Sequence, residues 1–249
     1  EAFRAIGDRW GLAGLLAARA RLAGWRGDDE RSLTLADEAL GLVRQLGAAE
    51  DTADLLCLRA ENLTRAGDFD QARGCYERAG EYARRSGAPE TVAQVLHGLG
   101  ELARLSGDLA EARRRYDGAL GVCTTDAFGV TEIRLRVLVG LGRAAEAEGD
   151  VEGAGALYRQ ALGDGDPPAA ADVAEGLAGL ALFDDDGERA ALLLGAGSAL
   201  RGMSMAGDRD VARVARRARE LIGDAAYASA FERGAALPRE EARALVDPS

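Results

Sequence analysis

Leu96, Leu99, Gly100 and Ala103 fall at i, i+3, i+4 and i+7, the spacing that lines one side of an α-helix. Gly107 predicts the end of that helix, because glycine takes the left-handed cap conformation at least cost. Asp108 then caps a second helix, with Glu111 three residues on in the spacing of a capping box. Leu109, Ala112, Tyr116, Ala119 and Leu120 mark the buried side of the second helix. Small Gly100 and Ala112 are expected to let two antiparallel helices approach closely, with Tyr116 filling the space toward the next pair. Gln94, His97, Glu101 and Arg104 form a polar stripe beside the apolar one on the first helix.

The same pattern recurs. Gly-Asp pairs stand at 27–28, 67–68, 107–108 and 149–150, with steps of 40, 40 and 42 residues. Leu56, Ala60 and Leu63 precede the second pair, and Ala72, Tyr76 and Ala79 follow it. Leu138, Leu141, Gly142 and Ala145 precede the fourth, and Val151, Ala154, Tyr158 and Ala161 follow it. A degenerate fifth unit turns at Asp184-Asp185-Asp186-Gly187. Self-similarity at such a period predicts an array of one supersecondary unit, whose neighbours bury a continuous core and whose surface serves partners.

Two ends break the regularity. Arg4, Arg44 and Arg84, and likewise Gly7, Gly47 and Gly87, are 40 apart, so residues 1–7 read as the close of an earlier repeat and the chain as a module of something larger. After Arg201 the period stops. Val211, Val214, Ala215, Ala218, Leu221 and Ile222 then predict an amphipathic helix, Tyr227 and Phe231 a second, and Glu240 to Val246 a third. The expected organisation is a repeat array over 1–201, with turns at 27–28, 67–68, 107–108, 149–150 and 184–187, closed by a helical cap over 202–249.

Composition narrows the function. All 31 basic residues are arginine, against 42 acidic ones, for a net charge of −11. That sign repels a phosphate backbone, so no direct nucleic-acid contact is expected from this segment. No apolar run reaches the roughly 18–20 residues a bilayer needs, and no membrane partner is expected. Cys57, Cys75 and Cys123 read as reduced thiols of a cytoplasmic protein, two of them in the core. The arginine-only, alanine- and glycine-rich usage suggests a GC-rich bacterial genome.

The small residue midway along each first helix, Gly-Asp at the turn, and alanine, an aromatic, then Ala-Leu along the second helix resemble the tetratricopeptide repeat (TPR). That resemblance implies an all-α fold: a right-handed superhelix of antiparallel helix pairs with a C-terminal helical cap. The usual period is about 34 residues, so longer second helices or inter-repeat loops are expected here. The run Glu175 to Ala181, then Glu188 to Ala196 and Ala199-Leu200-Arg201, with Ala230-Phe231-Glu232-Arg233-Gly234, Leu237 and Glu240-Glu241-Ala242, resembles the final repeat and tail of actinobacterial regulators. These are the SARP-type antibiotic-biosynthesis activators and the large ATP-binding LuxR-type regulators. The resemblance implies a non-catalytic sensor or protein-interaction module of a multidomain transcriptional activator of secondary metabolism. Its partner would be a peptide, another domain of the same regulator or a small effector. A stand-alone scaffold or adaptor binding a peptide is the alternative.

In TPR arrays the flank of the first helix lines the concave groove. The matching stripe here carries Arg21 and Trp25, then Asp54, Cys57, Glu61 and Arg65, then Gln94, His97, Glu101 and Arg104, then Arg136, Arg143 and Glu146. Collectively it is the candidate binding surface; residue by residue, a solvated face with internal ion pairs is the plainer reading. Other motifs carry no chemistry. Gly98-Leu99-Gly100 and Gly140-Leu141-Gly142 imitate a dinucleotide loop but recur in step with the helices, without a strand before them. His97 is the single histidine and has no Cys/His cluster around it. Asp184 to Asp186 lacks the spacing and distal glutamate of a calcium loop. Arg213, Arg216, Arg217 and Arg219 read as the solvated face of the cap helix, or as a docking face for an adjacent domain. No nucleophile–base pair, metal set or Walker sequence is present, so no enzymatic activity and no cofactor are expected.

Overall fold

The computed structural model describes residues 7–123, 130–163 and 167–247. The described residues are all-α, with thirteen α-helices, one 3-10 turn and no strand. Two compact units result, Glu1–Ile133 and Arg134–Ser249. The first holds α1 (Arg9–Trp25), α2 (Asp29–Leu46), α3 (Ala49–Ala66), α4 (Phe69–Ser86), α5 (Pro89–Leu105) and α6 (Leu109–Val122). These form three antiparallel pairs, with each first helix packed beside the next pair's first helix. The expected partial repeat over 1–7 lies, apart from Gly7, outside the described residues.

The turns explain the period. Gly7, Gly27, Gly47, Gly67, Gly87 and Gly107 stand 20 residues apart, and all have positive φ. The turns within pairs and between pairs therefore share a left-handed glycine, but Asp28, Asp68 and Asp108 cap the next helix within pairs, whereas Ala48 and Ala88 open it between pairs without a side-chain cap. Helices of 17 or 18 residues joined by short glycine turns produce the 40-residue step through α5. The extra length over a common TPR is taken up by both helices of a pair, and the links between pairs stay short.

Each Gly-Asp pair closes one helix and opens the next. The Asp108 N–H donates to Ala103 O (2.9 Å) and the Gly107 N–H to Arg104 O (3.0 Å), the two bonds of a Schellman cap. The Asp108 carboxylate then accepts from the Glu111 N–H at 3.0 Å. The reciprocal half of the expected capping box does not form. The Asp108 N–H is already used by the preceding helix, and the Glu111 carboxylate instead takes Arg115 at 2.6 Å and Arg114. In the degenerate unit Asp185 replaces the glycine at φ 53, and Asp186 caps by accepting from the Arg189 N–H at 2.9 Å.

Tyrosines fill the layers. Tyr76, Tyr116 and Tyr158 are fully buried. A Cβ on Gly100 would come within 2.6 Å of the Tyr116 ring. Gly100 thus makes room for an aromatic ring of its own pair, where close approach of two helices was expected. Tyr76 lies under Gly98 of the next pair, and Tyr158 lies against both Gly142 and Gly176. The buried side of α5 also differs from the single predicted stripe. Val95, Leu102 and Ala103 are buried, whereas Leu96 and Leu99 are only partly so. The helix is packed by α4 on one side and α6 on the other, so burial extends beyond one face.

The second unit contains most of α7 (Val130–Ala147), then α8 (Val151–Gly163), α9 (Pro167–Ala181), the 3-10 turn Leu182–Asp184 and α10 (Gly187–Arg201). Beyond the period come α11 (Arg209–Ile222), α12 (Asp224–Ala235) and α13 (Arg239–Val246), all three packed on α10. The tightest contact is α10 on α12. A Cβ on Gly195 would lie 2.1 Å from Phe231 O, and one on Gly234 would lie 2.1 Å from Leu192 O. The two helices cross backbone to backbone, and their glycines are there for that crossing.

Candidate functional site

The candidate stripe separates into three local arrangements. The first is open. In the first unit, α1 and α3 border a groove of about 480 Å³ whose lining includes Trp10, Gly14, Arg21, Asp54, Leu55 and Leu58. The helical spacing of Trp10, Gly14, Ala17 and Arg21 puts them on one side of α1, facing Asp51, Leu55 and Leu58 of α3. Apolar surface dominates the floor. Trp10 is 66% exposed, an unusual state for so large an apolar side chain.

Charge rims that groove. Asp54 accepts from the Thr91 hydroxyl at 3.3 Å. Its pKa is raised, chiefly by loss of solvent against the groove wall and then by the neighbouring Glu50 and Asp51 carboxylates, while Thr91 and Arg21 pull it down. Arg21 and Asp54 are the two candidate residues that meet here. Trp10 and the leucines were absent from the candidate stripe. The signal for Trp10 is faint: it is a bulky aromatic at a position that is Glu50 one period later.

The second arrangement is turned inward and paired within its own helices. Glu61 and Arg65 are partly buried, Cys57 fully so, and Trp25 partly. The Arg65 guanidinium hydrogen-bonds Asn62, lies 3.8 Å from Asp29 and covers Gly24. In α5 Gln94 is partly buried, while His97 and Arg104 are buried. Arg104 pairs with Glu101 at 2.7 Å, and the Tyr116 hydroxyl donates to the same carboxylate. Burial and the Glu101 charge push the Tyr116 phenol well up. His97 sits with its ring 6.0 Å from that of Tyr116. These groups form a packed polar network of the third pair.

The third arrangement lies in the second unit. Arg136 is partly buried on α7. Arg143 lies 3.5 Å from Asp210 and 4.0 Å from Asp208, at the start of α11, and 3.9 Å from Glu175. Arg213 of α11 pairs with the buried Glu146 at 2.7 Å. Arg201 holds both Glu175 and Asp172. The helix after the repeats is therefore tied by charge to the first helix α7, and Arg213, expected on a solvated face, is one of the ties. Glu175 and Arg201 gave a sequence signal only through the regulator-like run; their pairing requires α9 and α10 to be side by side.

Cys57 and Cys75 are buried cysteines outside any disulfide, and Cys123 is a partly buried one. Among the described residues no cluster of three His, Cys, Asp or Glu side chains is placed to hold a metal ion. No helix among them is long and apolar enough to cross a membrane. The GxGxx stretches at Gly98 and Gly140 lie inside α5 and α7, with Gly98 and Gly142 against tyrosine rings.

Comparison with known proteins agrees with this architecture. The tetratricopeptide repeat family matches residues 91–163, so that stretch is a TPR region. The crystal structure of BtubC (BKLC) from P. vanneervenii is similar at 21% identity and a TM-score of 0.53, covering 80% of this chain and 84% of that one. At that identity the likeness shows the fold. No curated protein matches the chain.

Proposed function

We propose that this chain is the sensor and protein-interaction module of a multidomain bacterial transcriptional activator of secondary metabolism. The groove between α1 and α3 receives a segment of another domain of the same regulator, and that contact couples the array to nucleotide binding and DNA binding elsewhere. One observation carries the binding part: a first-helix groove of about 480 Å³ keeps an exposed Trp10 over an apolar floor, with Arg21 and Asp54 at its rim. Exposed tryptophan beside a preformed apolar groove is the kind of residue that dominates interface energies. TPR arrays are built to hold partner segments, which supports the interaction reading over catalysis. The regulator context rests on the likeness of the Glu175–Ala181 and Glu188–Arg201 runs to actinobacterial activators.

Two measurements test it. The reading frame encoding this chain should also encode a nucleotide-binding domain and a DNA-binding domain; a frame with neither sinks the regulator reading. Calorimetry of the chain with that nucleotide-binding domain should show binding that Trp10→Ala weakens by roughly tenfold, about 1.4 kcal/mol. Binding that Trp10→Ala leaves untouched would remove the groove from the account.

A further inference from the structure

A second groove, of about 400 Å³, lies on the other side of the first unit, between α2 and α4 over α3. Its chemistry is opposite to that of the first. Arg44, Arg59 and Arg78 line it with a single carboxylate, Asp37, leaving a local charge of +2 on a chain whose net charge is −11. Gln71 adds an amide, while Leu40 and Leu56 are buried beneath the groove.

The middle arginine is held in place. Asp37 accepts from Arg59 Nε at 2.6 Å, and Arg59 Nη1 donates to Cys75 Sγ at 3.1 Å. A guanidinium carries five N–H donors in a fixed fork, so more than half remain for a ligand. The side chains of Arg44 and Arg78 make no ion pair or hydrogen bond among the described residues. Gly74 leaves the α4 side of the groove without a side chain. It lies in the interior of α4, where glycine disfavours helix, and a Cβ there would meet no atom within 4 Å. No packing demand accounts for that glycine; a side chain there would enter open space at the groove.

We propose that this groove is a binding site for a phosphoryl group carried on a small organic body. A phosphate monoester has a charge of about −1.5 to −2 at neutral pH and three acceptor oxygens, which match a +2 lining and several guanidinium forks. A single carboxylate would leave that charge half compensated. The organic part lies along the apolar stems of Arg44 and Arg78. The source of the group is either a free organic phosphate or a phosphorylated side chain.

Calorimetric titration of the whole chain with phenyl phosphate, at constant ionic strength, tests the site. Saturable one-site binding is expected, weaker with inorganic phosphate, which lacks the apolar body. The double variant Arg44→Gln/Arg78→Gln alters two exposed, unpaired side chains and should unfold at the wild-type temperature while binding about tenfold less tightly. Gly74→Leu should fill the groove and abolish binding with the thermal midpoint unchanged or raised. A phosphoserine peptide binding more tightly than phenyl phosphate would identify a phosphorylated protein as the source, and equal or weaker binding a free metabolite. Absence of saturable binding by phenyl phosphate and the peptide alike, or binding that the double variant leaves unchanged, overturns the proposal.

Discussion

Burial sets the chemistry of Glu175. Loss of solvent pushes its carboxyl from 4.5 up to about 7, with Asp172 and Asp208 acting in the same direction and Arg201 opposing them. Between pH 4.5 and 7 the folded chain holds a proton that the unfolded chain has released. This contribution to stability is fully present below 4.5 and is lost as pH rises through about 7. Glu175→Gln carries no such proton, so its stability relative to wild type should increase from pH 5 to pH 8, read as the difference in urea midpoints. Asp185 offers a second test. It holds the left-handed conformation at φ 53 that glycine takes at the sister turns, and its ion pair with Arg217 is exposed. Asp185→Gly should raise stability by about 0.5–1 kcal/mol in denaturant unfolding, since the strain relieved exceeds the worth of an exposed pair. At this scale the sequence was partly legible. The stripe positions of His97 and Arg104 were visible, but their burial was not, because it depends on α6 bringing Tyr116 against Glu101 and His97.

At the scale of the element, punctuation was readable and crossing geometry was not. Gly107 and Asp108 announce a stop and a start through local chemistry: a left-handed cap and a side-chain acceptor for a free N–H. Asp108→Ala should cost about 1 kcal/mol by removing the bond to the Glu111 N–H, measured as a lower midpoint of urea unfolding. The Gly195–Gly234 crossing is of another kind. Nothing local requires either glycine, as both sit in right-handed helix, yet a Cβ on either would strike the backbone of the other helix. Gly234→Ala should therefore destabilise by about 3 kcal/mol, well beyond the usual small effect of adding a methyl to a helix surface. A midpoint shift no larger than that of a surface alanine would show that α10 and α12 do not cross so closely.

Across the whole molecule the dominant quantity is charge. With 42 acidic residues against 31 arginines, long-range repulsion opposes the folded state at low ionic strength. The thermal midpoint should rise as salt is raised from about 10 mM to about 150 mM, as the screening length falls from about 30 to about 8 Å. The same excess predicts that the chain will not retard duplex DNA in a gel at physiological salt. Local sign nonetheless varies: the α1–α3 groove has Asp51 and Asp54 against Arg21, and the α2–α4 groove has three arginines against Asp37. Net charge says nothing about such local reversals, which arise where three helices meet. The division at Ile133 and Arg134 was likewise not visible, since the spacing of the Gly-Asp pairs only changes from 40 to 42 residues around it.

The helical class, the paired repeat and its turns were decided by interactions a few residues long: i to i+4 stripes, glycine caps and aspartate N-caps. Such interactions are written directly in residue order, so the sequence alone was sufficient for them. Which polar residues face a groove, which neutralise one another and where α11 is tied depended on neighbours tens of residues away. Arg213 meets Glu146 across 67 positions, and Arg201 meets Glu175 across 26. No periodicity encodes those meetings, because they are set by how helices distant in the chain pack, as where Tyr158 lies against both Gly142 and Gly176. The Gly-Asp pairs built the array, and the packing between pairs chose its surfaces.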